Sequence, residues 1–595
     1  MTGIVGGTVG SEGAATMAAP LKRESWYGEE RAETGAHALE LVHHGERDPA
    51  GHTVVDDGGV VGFVYGVVSN HPEGWAVADL FERVLDDPVA TLEAVDGPFA
   101  LACADRETDR LVVATDKIGA RPLYYTTGDG LAFGSEVKTV LSSVDDPTLD
   151  EQAVCDVMSV GHVWGQKTLV EEVRALPPAT ALVYENGEAT TERYWNPSFE
   201  PAESGDAYMF DLANRYREAV TDMADSIDGD VGLWLSGGLD SRPMAAELTR
   251  TAGTEAGVDG VRTYSYDANP PTGGNPALAE RVAATLGLDN EPVELGGETF
   301  AEVVEECIDV TDGMLRWNSF VNMSTTFSLP DDHPGVVLEA AAQGELLGEH
   351  LLRYHVADAE SAARGHYERQ EAVDPETVAS LLTIDVDPMA SFRESERASE
   401  EATMLERAMD IHFRNHYTRF VFSSNPLARR KVGTRTPFAN GAFLEHVARL
   451  PTDYRTGSFP FTDGAIPYGA SKPKLKLTRL LDQDLASIPY EQTRLPPTYP
   501  YPAHIAGFVA ATGYNRVVGG MTYGGLSLAD EWYRTNPQLR AYVDGLVDDA
   551  CERDLFDADH LRALRDEHLA GEGNHIFVLA PVTTLEAWIQ RYLDD

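Results

Sequence analysis

Cysteine is scarce in this chain. Four occur in 595 residues, Cys103, Cys155, Cys307 and Cys551, all far apart and with no Cys-x-x-Cys among them. Neither a disulfide framework nor a thiolate zinc site is implied. Cys103 lies inside the apolar run 99–104 and reads as core packing. Basic side chains are scarce as well: 46 Lys and Arg face 97 Asp and Glu, for a formal charge of −51. Such a balance argues against nucleic acid or an anionic membrane as a standing partner. No apolar run is long enough to span a bilayer, and the N-terminus has no basic stretch leading into an apolar one. The expectation is a cytoplasmic protein. With 43% hydrophobic residues the chain is not disordered by composition. Its acids are dispersed, the surface expected of a protein in concentrated salt, where repulsion is screened. The length calls for two or more domains.

A Walker A loop is also missing, because no Gly-Lys-Ser/Thr follows any glycine-rich turn. Present instead is Ser236-Gly237-Gly238-Leu239-Asp240-Ser241. The apolar run 231–235 before it predicts a buried strand. The stretch 242–250 after it predicts a helix, with Pro243 in its first turn and Gly253 past its end. Strand, glycine turn and helix N-terminus together make an anion site. The two glycines let backbone approach phosphate, and Ser236 and Ser241 add hydroxyl donors. Asp240 would repel bare phosphate, which points to a bridging Mg²⁺. The hexapeptide resembles the SGGxDS pyrophosphate loop (PP-loop) of ATP pyrophosphatases, as found in the asparagine synthetase family.

Residues 1–200 alternate short strand-like runs (60–68, 99–104, 111–115, 131–134 and 181–184) with turns and helical stretches such as 75–85, an α+β pattern. Asp96-Gly97-Pro98-Phe99-Ala100, the run 116–125 (DKIGARPLYY) and Phe133-Gly134-Ser135-Glu136-Val137-Lys138 resemble the amidotransferase domain of glutamine-dependent asparagine synthetases. Leu176-Pro177-Pro178 and Arg193-Tyr194-Trp195 close the domain as in that family. The resemblance implies a four-layer N-terminal-nucleophile (αββα) sandwich. Active members open with Met-Cys-Gly-Ile and use that cysteine as the nucleophile. Here the opening is Met1-Thr2-Gly3-Ile4, and Tyr65-Gly66-Val67 stands where the family's Asn-Gly-Glu grips glutamine. Thr2 could serve as an N-terminal nucleophile, but with the grip also missing the expectation is a scaffold that does not hydrolyse glutamine.

Residues 196–206 read as a linker. From 207 to 595, strands at 231–235, 261–266, 293–295 and 335–338 alternate with helices, one of them capped by Asn275 and ending at Gly287 and another over 299–310. Such alternation predicts a parallel sheet, an α/β Rossmann-like domain with ligands at the strands' carboxyl ends. The run 357–401 reads as a solvated, acidic helical insertion, and 528–595 as amphipathic helices forming a helical C-terminal cap. His560, His568 and His575 show no ligand spacing.

Resemblance to the asparagine synthetase C-terminal domain covers most of this region. It implies an ATP-pyrophosphatase domain in which Ser236–Ser241 bind the β- and γ-phosphates with Mg²⁺ alongside, and Ser265 and Tyr266 lie beside the adenosine. The implied reaction adenylates a carboxylate and passes the acyl group to an amine or ammonia, releasing AMP and pyrophosphate. Three departures stand out. The family's SGEGADE reads Glu339-Ala340-Ala341-Ala342-Gln343-Gly344-Glu345, with Glu345 the stand-in for the metal-binding aspartate beside Asp240. In the family's Arg-x-Lys segment Arg494 matches the arginine while the lysine falls on Pro496. Asn275-Pro276 replaces an Asp-Glu pair. Lys472-Pro473-Lys474-Leu475-Lys476 is a rare basic patch that faces either ATP phosphates or a salt-bridged surface. Three readings result: an asparagine synthetase-like ligase acting on aspartate or a related carboxylate, a β-lactam-synthetase-like ligase with another substrate, and a non-catalytic nucleotide-binding relative. A homodimer is one option for assembly.

Overall fold

Apolar runs broken by short polar turns build three sheets in the computed structural model, which describes residues 2–254, 257–267, 274–340, 343–348, 360–423, 425–455, 472–518 and 526–594. Two six-stranded antiparallel sheets form the N-terminal part. One runs in the order Arg174–Ala175, Tyr124–Thr126, Ala132–Gly134, Gly3–Gly7, Ala38–His43, Gly28–Glu33. The other runs Glu188–Arg193, Thr180–Glu185, Leu111–Thr115, Phe99–Asp105, Val60–Gly66, His52–Asp57. Alternate residues meet between the sheets: Ile4, Leu39 and Leu41 from one pack on Phe63, Ala102 and Val113 from the other. The helix Ser11–Ala18 covers one outer face through Met17 and Ala18. Helix Leu80–Asp86 covers the other through Phe81 and Val84. Gly62 permits this close approach, since a Cβ there would lie 2.3 Å from the Phe81 ring. The result is the expected helix–sheet–sheet–helix sandwich. The strands 3–7, 28–33 and 38–43 escaped the sequence reading because glycines and charged residues dilute their apolar pattern.

The third sheet is parallel, in the order Asn290–Pro292, Val261–Ser265, Val231–Trp234, Val336–Leu338, Gly433–Arg435. The chain first builds outward from the central strand on one side, then crosses to the other. The crevice at the carboxyl ends therefore opens beside Val231–Trp234, where this reversal occurs. Val231, Leu233, Val336 and Leu338 bury one face against Tyr216, Val220, Met244 and Leu248. Val337 meets Ala428 and Val432 on the other face. The third strand begins three residues before its expected place, and Gly433–Arg435 adds a fifth strand beyond the four expected.

The run described from 360 to 401 is not a solvated insertion. Its helices Ala362–Gln370, Pro375–Leu381 and Ala390–Arg397 bury Ala362, Tyr367, Leu381 and Phe392. Phe392 stacks on Trp164 at 4.4 Å, and Ser391 donates to the buried Asp156 carboxylate at 2.7 and 2.9 Å. The charges that dominate its sequence lie on the opposite, solvated faces. Residues 349–359 lie outside the described part. Helices Leu526–Thr535, Pro537–Ala550, Ala558–Ala570 and Ile576–Tyr592 form the expected cap.

Sandwich and parallel sheet share one core. Phe99, Leu101 and Ile118 fall in the same packed cluster as Phe413, Tyr417 and Phe438. Arg435 on the last parallel strand donates to both oxygens of Asp48 at 2.9 and 2.6 Å, and both residues are buried. Lys138 of the sandwich meets Asp312 at 3.1 Å with both side chains buried.

Candidate active site

The predicted strand–turn–helix junction is present: Val231–Trp234 leads into Ser236–Asp240, and the helix runs over Ser241–Thr251. The loop leads into the N-terminus, the positive end, of an eleven-residue helix. Ser236 N–H donates to Ser241 Oγ at 3.0 Å, and Gly238 N–H to Ser236 Oγ at 3.2 Å. Gly237 N–H donates to Asn275 Oδ1 at 2.5 Å. Asn275 is therefore not the cap of its helix, which begins at Gly274; it reaches across to the loop. A Cβ on Gly237 would lie 2.8 Å from Leu278 Cβ, so the helix behind the loop demands glycine there. Leu239 packs with Leu475 and Tyr490 and pins the loop's far side.

Two cations flank the loop. Arg242, fully buried, donates to the carbonyls of Gly237, Leu485, Ile488 and Pro489 at 2.9–3.1 Å. Burial pushes its pKa down to about 10, which leaves it charged at neutral pH. Lys474, 2% exposed, lies 2.7 Å from the Asp240 carboxylate. The family's lysine aligns with Pro496, and of the two options open for the 472–476 patch each holds for part of it. On the helix Lys472–Leu481 its first and last lysines ion-pair with Asp453 and Asp206, while Lys474 turns inward.

The other expected residues divide. Tyr266 packs on Trp234 with ring centroids 5.6 Å apart, and burial, with Glu491 nearby, pushes its hydroxyl up to about 12. Ser265 is buried and accepts from Asn290 Nδ2 at 3.0 Å, a bond within the sheet rather than toward the crevice. Arg494 is exposed, in a left-handed backbone conformation (φ 59°) that is strained for arginine. Burial, with Asp267 adding to it, raises the Glu491 carboxyl above its ordinary value, and nearby Arg494 counters this only in part. Arg494, Glu491, Asp267 and Tyr266 thus gather at the mouth beyond the second strand.

Glu345 does not join Asp240. On the short helix Gln343–Leu346, Gln343 faces the loop, donating to Leu239 O at 3.3 Å and meeting Tyr216 OH at 3.0 Å. Two residues further on, about 200° around a helix, the side chain points the other way. Glu345 instead lies 3.8 Å from His416 Nε2. Glu339 is buried and accepts from Asn425 and Thr436 at 2.8 Å. Ala341 and Ala342 lie outside the described residues.

In the sandwich, Thr2 is 1% exposed, with its hydroxyl 3.0 Å from Tyr65 OH. Arg121 donates to the same phenol at 3.2 Å and to Thr434 O at 2.9 Å. The Tyr65 phenol thus links the threonine hydroxyl to the Arg121 guanidinium.

Comparison with known proteins agrees with this arrangement. The glutamine amidotransferase domain family matches residues 80–195, and the asparagine synthase family matches residues 211–476. Asparagine synthetase [glutamine-hydrolyzing] 3 of Bacillus subtilis (strain 168) is 24% identical over 397 residues, 61% of this chain and 63% of that protein. Asparagine synthetase [glutamine-hydrolyzing] 1 of the same organism is 24% identical over 257 residues, 42% of this chain and 39% of that protein. Amidase chyE of Penicillium rubens is 23% identical over 408 residues, 65% of this chain and 54% of that protein. The matched stretches span less than two thirds of the length of each of these relatives. Both halves of the molecule thus match the two parts of one family in the same order, and the chain belongs to the asparagine synthetase family, in its two-domain type with an amidotransferase domain ahead of the synthetase domain.

Proposed function

We propose that this protein is an ATP-dependent ligase that adenylates a carboxylate, aspartate or a related acid, and forms an amide, with AMP and pyrophosphate as the other products. The observation that carries the reading is the Ser236–Ser241 loop at the reversal point of the parallel sheet, with Lys474 on Asp240. The donors suit ATP phosphates: two serine hydroxyls, a helix N-terminus and an ammonium, while the Gly237 and Gly238 N–H groups, held here by Asn275 and Ser236, would have to exchange those partners for phosphate oxygen. Asp240 and the serine hydroxyls are hard oxygen ligands of the kind Mg²⁺ accepts while keeping several waters. When bound, Mg²⁺ neutralises phosphate charge. Arg242 fixes the loop by tying it to the segment 485–489. Lys474 balances Asp240 and places a positive charge where pyrophosphate departs, the role that the family's missing lysine leaves open. Catalysis here is positioning and charge neutralisation. Glutamine is not the nitrogen source in this reading, because Thr2 is buried against the Tyr65 phenol.

Product analysis tests it. With Mg²⁺-ATP in concentrated KCl, aspartate plus ammonia should yield AMP, pyrophosphate and asparagine, and glutamine should not replace ammonia. Lys474→Met should cut AMP formation at least about 100-fold, the scale for losing one charge-stabilising donor, with the melting temperature checked alongside. AMP formed only with some other carboxylate would favour the β-lactam-synthetase-like alternative, to which the altered 339–345 turn and the absent Arg-x-Lys lysine lend weight. ATP binding without cleavage over a broad substrate panel would overturn the enzyme reading in favour of a nucleotide-binding relative.

A further inference from the structure

Behind the crevice, on the side of helix Gln343–Leu346 away from the loop, two histidines and a carboxylate converge. His412 and His416 sit four residues apart where the helix Met404–Ile411 continues into wider π-helical turns over His412–Val421. That spacing puts both rings on one face. They stack with centroids 4.5 Å apart and planes 20° from parallel. Glu345 approaches from the facing helix, with Oε2 3.8 Å from His416 Nε2. One ligand atom from each of the three side chains falls within 4.8 Å of the other two.

Neither ring nitrogen of His412 has a hydrogen-bond partner among the described residues, although the residue is 2% exposed. A buried polar ring left unsatisfied costs about 1–3 kcal/mol, so native folds give such a ring a partner, whether protein, ordered water or a bound ion. His416 Nδ1 is 3.0 Å from the Gln370 carboxamide nitrogen. With that amide turned so its oxygen accepts Nδ1–H, the Nε2 lone pair is left facing Glu345. This is the outer-shell arrangement that orients metal-bound histidines. Widened π turns recur at functional sites.

We propose that Glu345, His412 and His416 form a binding site for a divalent transition-metal ion, with Zn²⁺ the ion that the donor set fits best. Two imidazoles and one carboxylate are borderline donors that suit Zn²⁺ and disfavour Mg²⁺ or Ca²⁺. A tetrahedral ion at 2.0–2.1 Å holds its ligand atoms about 3.4 Å apart, so a small rotation of the rings closes the site. Three protein ligands leave a fourth position for water. The site is separate from the phosphate loop, whose Asp240 pairs with Lys474.

The test uses the full-length untagged chain, dialysed against chelator and titrated with Zn²⁺ alone, then with Co²⁺ as a spectroscopic probe. One equivalent of Zn²⁺ should bind, Co²⁺ should give a visible d–d band, and Zn²⁺ should displace it. His412→Gln and His416→Gln should each abolish the band and the stoichiometric equivalent. Gln370→Ala, which leaves all three ligands in place, should weaken Zn²⁺ binding about 10–100-fold. Circular dichroism of each variant identifies any that fail to fold, and Gln370→Ala keeps the test decisive if they do. No stoichiometric binding, or equal binding by the histidine variants through other pairs such as the stacked His43 and His52, would overturn the proposal. The readout is metal binding, so the result stands apart from the outcome of the ATP assays.

Discussion

Replacing Asp48 by asparagine should weaken the join between sandwich and parallel sheet by several kcal/mol. Arg435 is fully buried, and every N–H of its guanidinium is committed. Two go to Asp48 at 2.9 and 2.6 Å, two to Ser226 Oγ and O at 3.1 and 3.2 Å, and one to Thr434 O at 3.3 Å. Asp48→Asn keeps the side chain's shape but leaves that cation without its counter-charge. Breaking a buried pair in this way costs about 3–5 kcal/mol, a factor of roughly 10² or more in the unfolding constant. Burial raises the Asp48 carboxyl, but the charge and hydrogen bonds of Arg435 more than reverse it, so its folded pKa lies below the ordinary value. A depressed carboxyl stabilises the fold fully above the unfolded value of about 3.9, and that stability is lost as pH falls through the folded value. The cost of Asp48→Asn should therefore be complete at pH 7 and shrink below pH 4. Urea unfolding of wild type, Asp48→Asn, Arg435→Met and the double variant measures it. The double variant should be clearly more stable than the two single losses added, because it removes the orphaned charge as well. A single-variant loss under about 1 kcal/mol, the scale of an exposed pair, or strictly additive losses would refute the reasoning.

Asp156, buried and pushed up to about 6 against the pull of Lys167 and Ser391, works with the opposite sign. Its contribution to stability falls as pH rises from about 4 to 6, and Asp156→Asn should flatten that slope by up to about 1.4 kcal/mol per pH unit, read from unfolding curves across the range. Arg242→Met strips four carbonyls of their donor; both the melting temperature and the ATP-dependent rate should fall, the rate by about tenfold or more, as separate calorimetry and AMP assays would record. Gly237→Ala forces a Cβ to 2.8 Å from Leu278 Cβ and should both weaken ATP binding, measured by titration calorimetry, and lower stability by about 1–3 kcal/mol, measured by urea unfolding. Thr2→Cys should release no ammonia from glutamine, because the position is buried against the Tyr65 phenol and Tyr65-Gly66-Val67 replaces the glutamine grip; measurable glutaminase activity would refute this reading.

Much of this was legible in local pattern. The strand, glycine turn and helix around Ser236–Ser241 announce themselves because three neighbouring signals agree. Continuous apolar strands such as 99–105 and 111–115 are equally plain. Legibility ended where a residue's role depends on what lies opposite. The 472–476 lysines are indistinguishable in sequence, and only the helix's rotation selects Lys474. Glu345 matched a metal ligand by position along the chain, yet the 100° turn per residue aims it at His416 instead. Asn275 looked like a helix cap and proves to be a clasp on the loop. The acidic run near 390 hid Phe392, since a count of charges says nothing about which face they occupy.

Because Phe99, Leu101 and Ile118 lie in the same packed cluster as Phe413, Tyr417 and Phe438, the two sheet systems should unfold together, whatever chemistry either performs. Cutting at residue 200 would not free a working half. It would expose the aromatic floor of the second part and strand Arg435 as a lone cation on an apolar wall. Discarding the first domain would require rebuilding a hydrophobic surface in many simultaneous steps. Selection on folding alone is then enough to retain such a domain, independent of any reaction of its own.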